Sequence, residues 1–432
     1  MNGMIEDWIE VELNEIVTKL GDGLHGTPKY SEEAEYYFIN GNNLSEGRIQ
    51  IKENTKQVSQ EEFEKYKKPL NDRTILVSIN GTIGNLAFYN NEKIILGKSA
   101  CYFNLIHAIN KKFILFLLKG QGFLNYALES ATGSTIKNVP LKAMRSFNVP
   151  LAPLPIQRAI VNKLEALFSD LDNGIADLKK AQEQLKIYRQ AVLKKAFEGG
   201  FSIKEFELKK VNSLCEVVRG GSPRPAGSPI YYDGPIPFLK VKDITRNQGI
   251  FVESAEYSIK EAGLKKTRLV DSYTLLLTNS GATLGVPAIS RIQTTFNDGI
   301  AAFLGLDESD LVYHYYYWCS KTIYLRNLNQ GAAQPNLNTD VIGNMFIPVY
   351  DDKKEHTKIV QEIESRLSVC DNVQESIGEA LNKSEALRQS ILKKAFEGKL
   401  LSLNEIEKCK QEADYEPASE LLKKIHVEKR KK

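Results

Sequence analysis

Apolar residues recur along two long stretches of the chain at the spacing of a helix that buries one stripe. In 160–198, Leu164, Leu171, Leu178, Leu185 and Val192 return every seventh position, with Ile160, Leu167, Gly174, Ala181 and Tyr188 on the alternating row. In 359–397 the first row is Ile363, Cys370, Ile377, Ser384 and Ile391, and the second carries Ile359, Val373, Ala380 and Leu387, with Arg366 and Ser384 interrupting the pattern. Both stretches predict amphipathic helices of coiled-coil type. Lys194-Lys195 and Lys393-Lys394 suit the negative end of a helix dipole, and Gly199 and Gly398 supply the stop. A helix over 160–198 would be roughly 58 Å long at about 1.5 Å per residue.

Elsewhere short apolar runs alternate with glycine turns. Residues 8–28 read as a helix-like segment (Val11, Leu13, Ile16, Val17, Leu20) followed by such a turn, and 206–223 match them. Strands are expected at 37–40 and 237–240, and again on both sides of the turns in 75–84 and 275–285. Apolar, aromatic-rich helices follow over 113–128 and 311–328, and small-residue loops at 132–135 and 331–334 lead to segments ending Val149-Pro150 and Ile347-Pro348. Pro150, Pro153 and Pro155 stiffen the entry to the first long helix.

These paired features belong to one duplication. The stretch Arg189-Gln190-Ala191-Val192-Leu193-Lys194-Lys195-Ala196-Phe197-Glu198-Gly199 returns from Arg388 to Gly398, an offset of 388 − 189 = 199 residues that holds without a gap back to Ile160-Val161 and Ile359-Val360. The expected fold class is α+β: two strand-rich globular domains joined by two long antiparallel coiled-coil helices with a pseudo-two-fold repeat. The boundaries read as a first domain at 1–153, a long helix at 154–200, a second domain at 201–351, a second long helix at 352–400 and a basic tail at 401–432.

At 432 residues, 42% hydrophobic and 26% charged, the chain can build two or three globular domains. A net charge of +3 permits a nucleic-acid partner without demanding one. Five dispersed cysteines suggest neither a disulfide framework nor a zinc site, and five histidines form no H-E-x-x-H. The first ten residues hold no apolar leader and no run of eighteen apolar residues occurs, so a cytoplasmic protein with no membrane partner is expected. Gly21-Asp22-Gly23-Leu24-His25-Gly26 spells G-x-G-x-x-G, but it follows a helix-like stretch and runs into Thr27-Pro28 instead of a helix, which favours a plain turn over a cofactor loop. Gly97-Lys98-Ser99 lacks the glycine a P-loop needs five residues earlier, where Glu92 stands. Ser280 stands before Gly281 without G-x-S-x-G.

The repeated Leu387–Leu400 segment (Leu-Arg-Gln-Ser-Ile-Leu-Lys-Lys-Ala-Phe-Glu-Gly-Lys-Leu), the proline-rich entry Pro150–Val161 and the duplication itself resemble the specificity subunit of type I restriction-modification systems. The likeness covers Trp8 to about Leu400. One departure is that Ile156-Gln157 and Glu355-His356 replace the family's usual Glu-Gln before each helix. The resemblance implies a non-catalytic subunit whose two target-recognition domains each read half of a split, asymmetric site in double-stranded DNA, with the helices as a ruler; a rod of that length bounds the contact patches to within about 17 base pairs. It further implies two methyltransferase (modification) subunits, which would use S-adenosylmethionine, and restriction subunits that translocate and cleave DNA with ATP and Mg²⁺. No cofactor is expected in this chain itself. The rival readings are a self-contained S-adenosylmethionine-dependent methyltransferase, against which no Asn-Pro-Pro-aromatic motif occurs, and a structural coiled-coil adaptor.

Base edges are read by Arg, Lys, Asn and Gln, whereas phosphates take Lys, Arg, Ser, Thr and backbone N–H groups. Polar residues near the glycine turns are therefore the DNA-contact candidates: Lys29, Tyr30, Asn42, Asn80, Thr82 and Lys137 in the first half, and Arg219, Arg224, Lys240, Lys242, Arg246, Asn279 and Gln334 in the second. Phe168, Ile175, Leu193, Phe197, Leu392 and Phe396 on the long helices are candidates for docking partner subunits, or else they widen the chain's own core. Tyr313–Trp318 reads as a core face, with base stacking as the other option. The tail, ending Lys429-Arg430-Lys431-Lys432, leaves three readings open: pairing with the N-terminal region, attraction to phosphates, or a solvated end.

Overall fold

The computed structural model describes residues 7–32, 34–247, 249–281, 283–328 and 337–430. The chain divides into two compact units, one formed by Met1–Asp177 with Ala380–Lys432 and the other by Leu178–Glu379. Helices Leu154–Phe197 and Lys353–Phe396, 44 residues each, contribute a portion to both.

In the first unit, strands Val17–Asp22, Ala100–Leu105, Thr74–Ser78 and Leu86–Phe88 form one antiparallel sheet in that order. A second sheet runs Ile94–Leu96, Tyr36–Ile39, Gln57–Val58, Tyr30–Ser31, and a two-stranded ribbon pairs Ile9–Glu12 with Asn148–Leu151. Thr74–Ser78 is buried at every position, because a central strand covered on both faces has no polar side to show. Helices Lys111–Lys119 and Gln121–Ser130 cover the first sheet; the single expected helix over 113–128 is broken at Gly120, whose extended backbone ends one and caps the next.

The second unit repeats this plan. Glu216–Arg219, Ile300–Leu304, Thr274–Thr278, Pro287–Ser290 and Phe251–Val252 form a five-stranded sheet, Tyr257–Ile259, Tyr232–Leu239, Thr294–Phe296 and Arg268–Val270 form a four-stranded one, and Glu207–Lys210 pairs with Phe346–Val349. Its helix Leu311–Leu328 is unbroken. Tyr313, Tyr317 and Trp318 are fully buried in this unit's core, which settles the aromatic run as packing.

The helix-like reading of 8–28 and 206–223 is wrong. Two strands are joined by one 3-10 turn, Leu13–Glu15 or Val211–Ser213. The turn inserts a three-residue step between two period-2 runs, and the sum imitates helical spacing.

The helical seams also differ from their expected rows. The first row is sound, but its partners are Phe168, Ile175, Arg189 and Ala196 in the first helix, and Leu367, Arg388 and Ala395 in the second, all buried or half-buried. Gly174, Tyr188, Val373 and Leu387, placed on a seam by the sequence reading, are exposed. From each first-row residue the seam steps by four and then three, and the sequence reading took the three first. Within the first unit Arg388 pairs with Asp172, and within the second Arg189 pairs with Asp371 at 2.6 Å.

The six docking candidates are engaged by the chain's own units. Phe197 lies 5.1 Å from Tyr313 and 5.5 Å from Tyr317, Phe396 lies 5.1 Å from Phe113, and Phe168 packs on Phe116 at 5.7 Å. Leu193 and Leu392 are buried, and Ile175 is half-buried in the seam. Their position is physical: each helix end lies on a domain and needs an apolar face toward it as well as toward its partner helix.

The tail is folded in the first unit as helices Leu403–Lys410 and Ala418–Arg430. Ala418 N–H donates to Asp7 O at 3.0 Å, Tyr415 Oη to Asp7 Oδ2 at 2.7 Å and Lys429 Nζ to Asn14 O at 2.5 Å. Leu421 and Ile425 join the core that holds Trp8, Ile156 and Ile160. Pairing with the N-terminal region is thus the reading that holds for 403–430, and the solvated end is excluded there.

Candidate nucleic-acid interface

Five loops of the first unit meet at one end of its sheets. Gly97 N–H donates to Ile39 O (2.8 Å), Ile79 N–H to Ser99 O (2.9 Å), Lys98 N–H to Leu24 O (3.0 Å), Val139 N–H to Ile79 O (2.8 Å) and Gly81 N–H to Lys137 O (3.2 Å). Side chains fasten the same junction: Ser99 Oγ donates to Asn40 Oδ1 (2.9 Å) and accepts from Gly41 N–H (2.9 Å), and Asn80 Nδ2 donates to Asn138 Oδ1 (3.2 Å). Gly23 has no room for a side chain, since a Cβ there would lie 2.1 Å from Leu96 O.

The second unit reproduces three of these five backbone bonds. Asn297 N–H donates to Leu239 O (2.9 Å), Asn279 N–H to Gly299 O (2.9 Å) and Leu337 N–H to Asn279 O (2.7 Å). Ser78 Oγ accepts from Asn85 N–H at 2.8 Å, as Thr278 Oγ1 does from Val286 N–H at 2.8 Å. Asn43 Oδ1 accepts from Asn40 N–H at 3.0 Å, as Asp243 Oδ2 does from Lys240 N–H at 2.7 Å. Short polar side chains recur at these positions because they close turns by bonding a nearby N–H.

The structure brings Asn42, Asn80, Thr82 and Lys137 to this junction; Asn42, Thr82 and Lys137 are exposed there. Lys29 and Tyr30 lie apart on the edge of the second sheet, with Tyr30 beside Phe38 (6.2 Å) and Lys56 (5.8 Å). In the second unit Arg219, Lys240 and Lys242 reach the equivalent junction, and Arg219 Nε donates to Asp298 O at 2.7 Å. Lys240 Nζ sits 3.1 Å above the Tyr257 ring. Lys242 and Arg246 share Glu256 at 3.2 and 3.8 Å, and Lys242 holds the Glu256 carboxyl below the usual carboxylate range. Arg224 is exposed on the loop beyond.

Asn279 is a correction. Its backbone takes the place that Ile79 has in the first unit, it is fully buried, and neither side-chain polar atom has a partner among the described residues. A side chain enclosed in this way offers nothing to solvent. Gln334 and the 331–334 loop lie outside the described residues. Conversely, Lys98 and Asp298, at the apices of the two equivalent turns, escaped the sequence reading. The signal that could have found them is their place directly before strands Ala100–Leu105 and Ile300–Leu304, one residue from the small Ser99 and Gly299.

Residues 21–26 pass from strand Val17–Asp22 into a bridge between Leu24 and Gly97, and the next α-helix begins at Gln60. Among the described residues the segment does not lead directly into a helix, unlike a dinucleotide loop, whose glycines open one. Among the described residues no group of three or more His, Cys, Asp or Glu could hold a metal ion, and no helix is long and apolar enough to cross a membrane.

A family model described as the type I restriction modification DNA specificity domain matches residues 5–180 and 203–383. The chain is 25% identical over 395 residues to the specificity subunit of the type I restriction enzyme EcoBI of Escherichia coli, spanning 82% of this chain and 79% of that relative. It resembles the HsdS subunit of Thermoanaerobacter tengcongensis with a TM-score of 0.56 at 17% identity, covering 91% and 98% of the two chains. A chain from a solved type I restriction-modification system gives a TM-score of 0.68 at 17% identity, over 93% of this chain and 100% of that one.

Proposed function

The chain belongs to the type I restriction-modification DNA specificity family, and from that premise we propose that it is the sequence-reading subunit of such a system, each unit reading one half of a split, asymmetric site in double-stranded DNA. The observation that carries this is the shared junction: three of its backbone bonds recur in both units while the side chains at their apices differ. One scaffold bearing two sets of polar tips is what a non-palindromic target needs.

Methylation and cleavage, with their S-adenosylmethionine, ATP and Mg²⁺, fall to partner subunits, two of them methyltransferases, and this chain is not itself an enzyme. Partner docking uses apolar positions that the long helices leave open to solvent. In the second unit these are Ile187, Val369 and Val373, and in the first Leu387. They stand beside the six positions chosen from sequence, which are buried or half-buried.

The test is the methylated motif produced when the full chain is assembled with its methyltransferase subunits. A split, non-palindromic motif with a fixed gap is expected. Inserting seven residues into each long helix, after Lys180 and after Ala380, adds roughly 10 Å and should widen the gap by about three base pairs. A contiguous or palindromic motif would refute the proposal.

A further inference from the structure

The two equivalent turns carry opposite charges at their apices, Lys98 in one and Asp298 in the other. Each is held rigidly. Lys98 lies between Gly97, whose N–H bonds Ile39 O, and Ser99, whose carbonyl accepts from Ile79 N–H, and its own N–H bonds Leu24 O. Asp298 lies between Asn297 and Gly299, fixed in the same way to Leu239 and Asn279. A side chain on such a turn is positioned by two sheets at once, which is the placement that base recognition requires.

The surroundings are inverted as well. Lys98 is exposed, its ammonium has no partner among the described residues, and the groups around its turn are the amides Asn40, Asn42 and Asn80. Asp298 sits among cations: Arg219 Nε bonds its carbonyl, Arg268 Nε bonds Arg219 O at 3.1 Å, and Lys240 lies on the adjoining turn. Its Oδ1 accepts from Ser222 Oγ at 2.6 Å, while Oδ2 has no partner among the described residues. Cations attract a phosphate backbone, but a carboxylate in their midst repels it. A carboxylate oxygen left open there is matched to a hydrogen-bond donor on the DNA, and the donors in the major groove are the exocyclic amines.

Given the DNA-reading role above, we infer that Lys98 and Asp298 determine specificity with opposite polarity: Lys98 donates to guanine O6 or N7 in the half-site of the first unit, and Asp298 Oδ2 accepts from cytosine N4 in that of the second. Each contact should discriminate against the wrong base by roughly 5- to 150-fold.

The experiment assembles the full chain with its methyltransferase subunits and sequences what is methylated in a random DNA library, for the native chain, Lys98→Gln, Lys98→Arg and Asp298→Asn. Lys98→Gln should relax one guanine position in one half-site and leave the other half-site intact, and Lys98→Arg should keep that guanine. Asp298→Asn should relax one cytosine in the opposite half-site. The intact half-site reports that the assembly is folded. An unchanged motif with a salt slope lower by about one would make Lys98 a phosphate contact and overturn the inference, as would loss of an entire half-site instead of one base pair. If the native chain selects no split motif, it is the underlying reading that fails.

Discussion

In the second unit the long helix ending at Phe197 runs into strand Glu207–Lys210 through a covalent loop, with Phe206 packed on Tyr350 at 5.7 Å. The first unit makes the equivalent join without a peptide link: helices Leu403–Lys410 and Ala418–Arg430 lead from the end of the second long helix to Asp7, next to Trp8. The same architecture is therefore closed once by chain and once by packing. Packing can be undone by substitution, so the two units should differ in what breaks them.

The largest effect should come from removing 401–432, which uncovers Trp8, Ile156 and Ile160. The first unit should become sensitive to protease while the second keeps its protection. Ile425→Ala alone is expected to cost about 2–5 kcal/mol, lowering the first transition in a calorimetric scan and leaving the second in place. A uniform loss across both transitions would show that the closure is not local.

Acid should reverse the ranking. Burial in the second unit pushes His314 down to about 4, against the opposing pull of Asp310. The unfolded chain binds a proton near its usual value of about 6.5 and the folded one does not, so stability is full above that pH and falls as pH drops from about 6.5 to about 4. The loss approaches 3 kcal/mol, and His314→Gln should abolish this part of the pH dependence in urea titrations of the second unit.

The entries to the two helices give a smaller contrast. In the first unit Gln157 Oε1 accepts from Asn110 N–H (2.9 Å) and Nε2 donates to Ala152 O (2.8 Å). In the second, His356 Nε2 accepts from Tyr350 N–H (3.2 Å), so Nδ1 carries the proton toward Asp310 Oδ1 (2.9 Å), and the ring stacks on Tyr313 at 4.1 Å. His356→Gln can keep the polar contacts but loses the stack, at about 1 kcal/mol, read as a small shift in the second transition only. Smallest of all, Arg189→Ala, which removes a largely exposed pair with Asp371, should change stability by less than about 1 kcal/mol.

Much of the fold was legible because it is periodic or repeated. Leu164, Leu171 and Leu178 announced the seam, and the 199-residue offset announced the duplication. What failed were places where two local rules overlap: the turn at Leu13–Glu15 between two strands imitated a helix, and Tyr188 and Leu387 fell on the wrong row because a three-four spacing can be started at either step. The candidate junction was legible only in part. Glycines mark where loops turn, but not which apex is central, and Asn279 was chosen for its chemistry although its neighbours enclose it. Lys98 was passed over because its flanking residues were weighed only against a phosphate-binding loop.

The first unit draws on both ends of the chain, whereas the second is one continuous segment, Leu178–Glu379. During synthesis the later-encoded half thus has all of its parts first. The earlier-encoded half must wait, its Trp8 face uncovered, until Ile425 leaves the ribosome. A premature stop near the end of the message would on this account spoil the reader made first and spare the one made second.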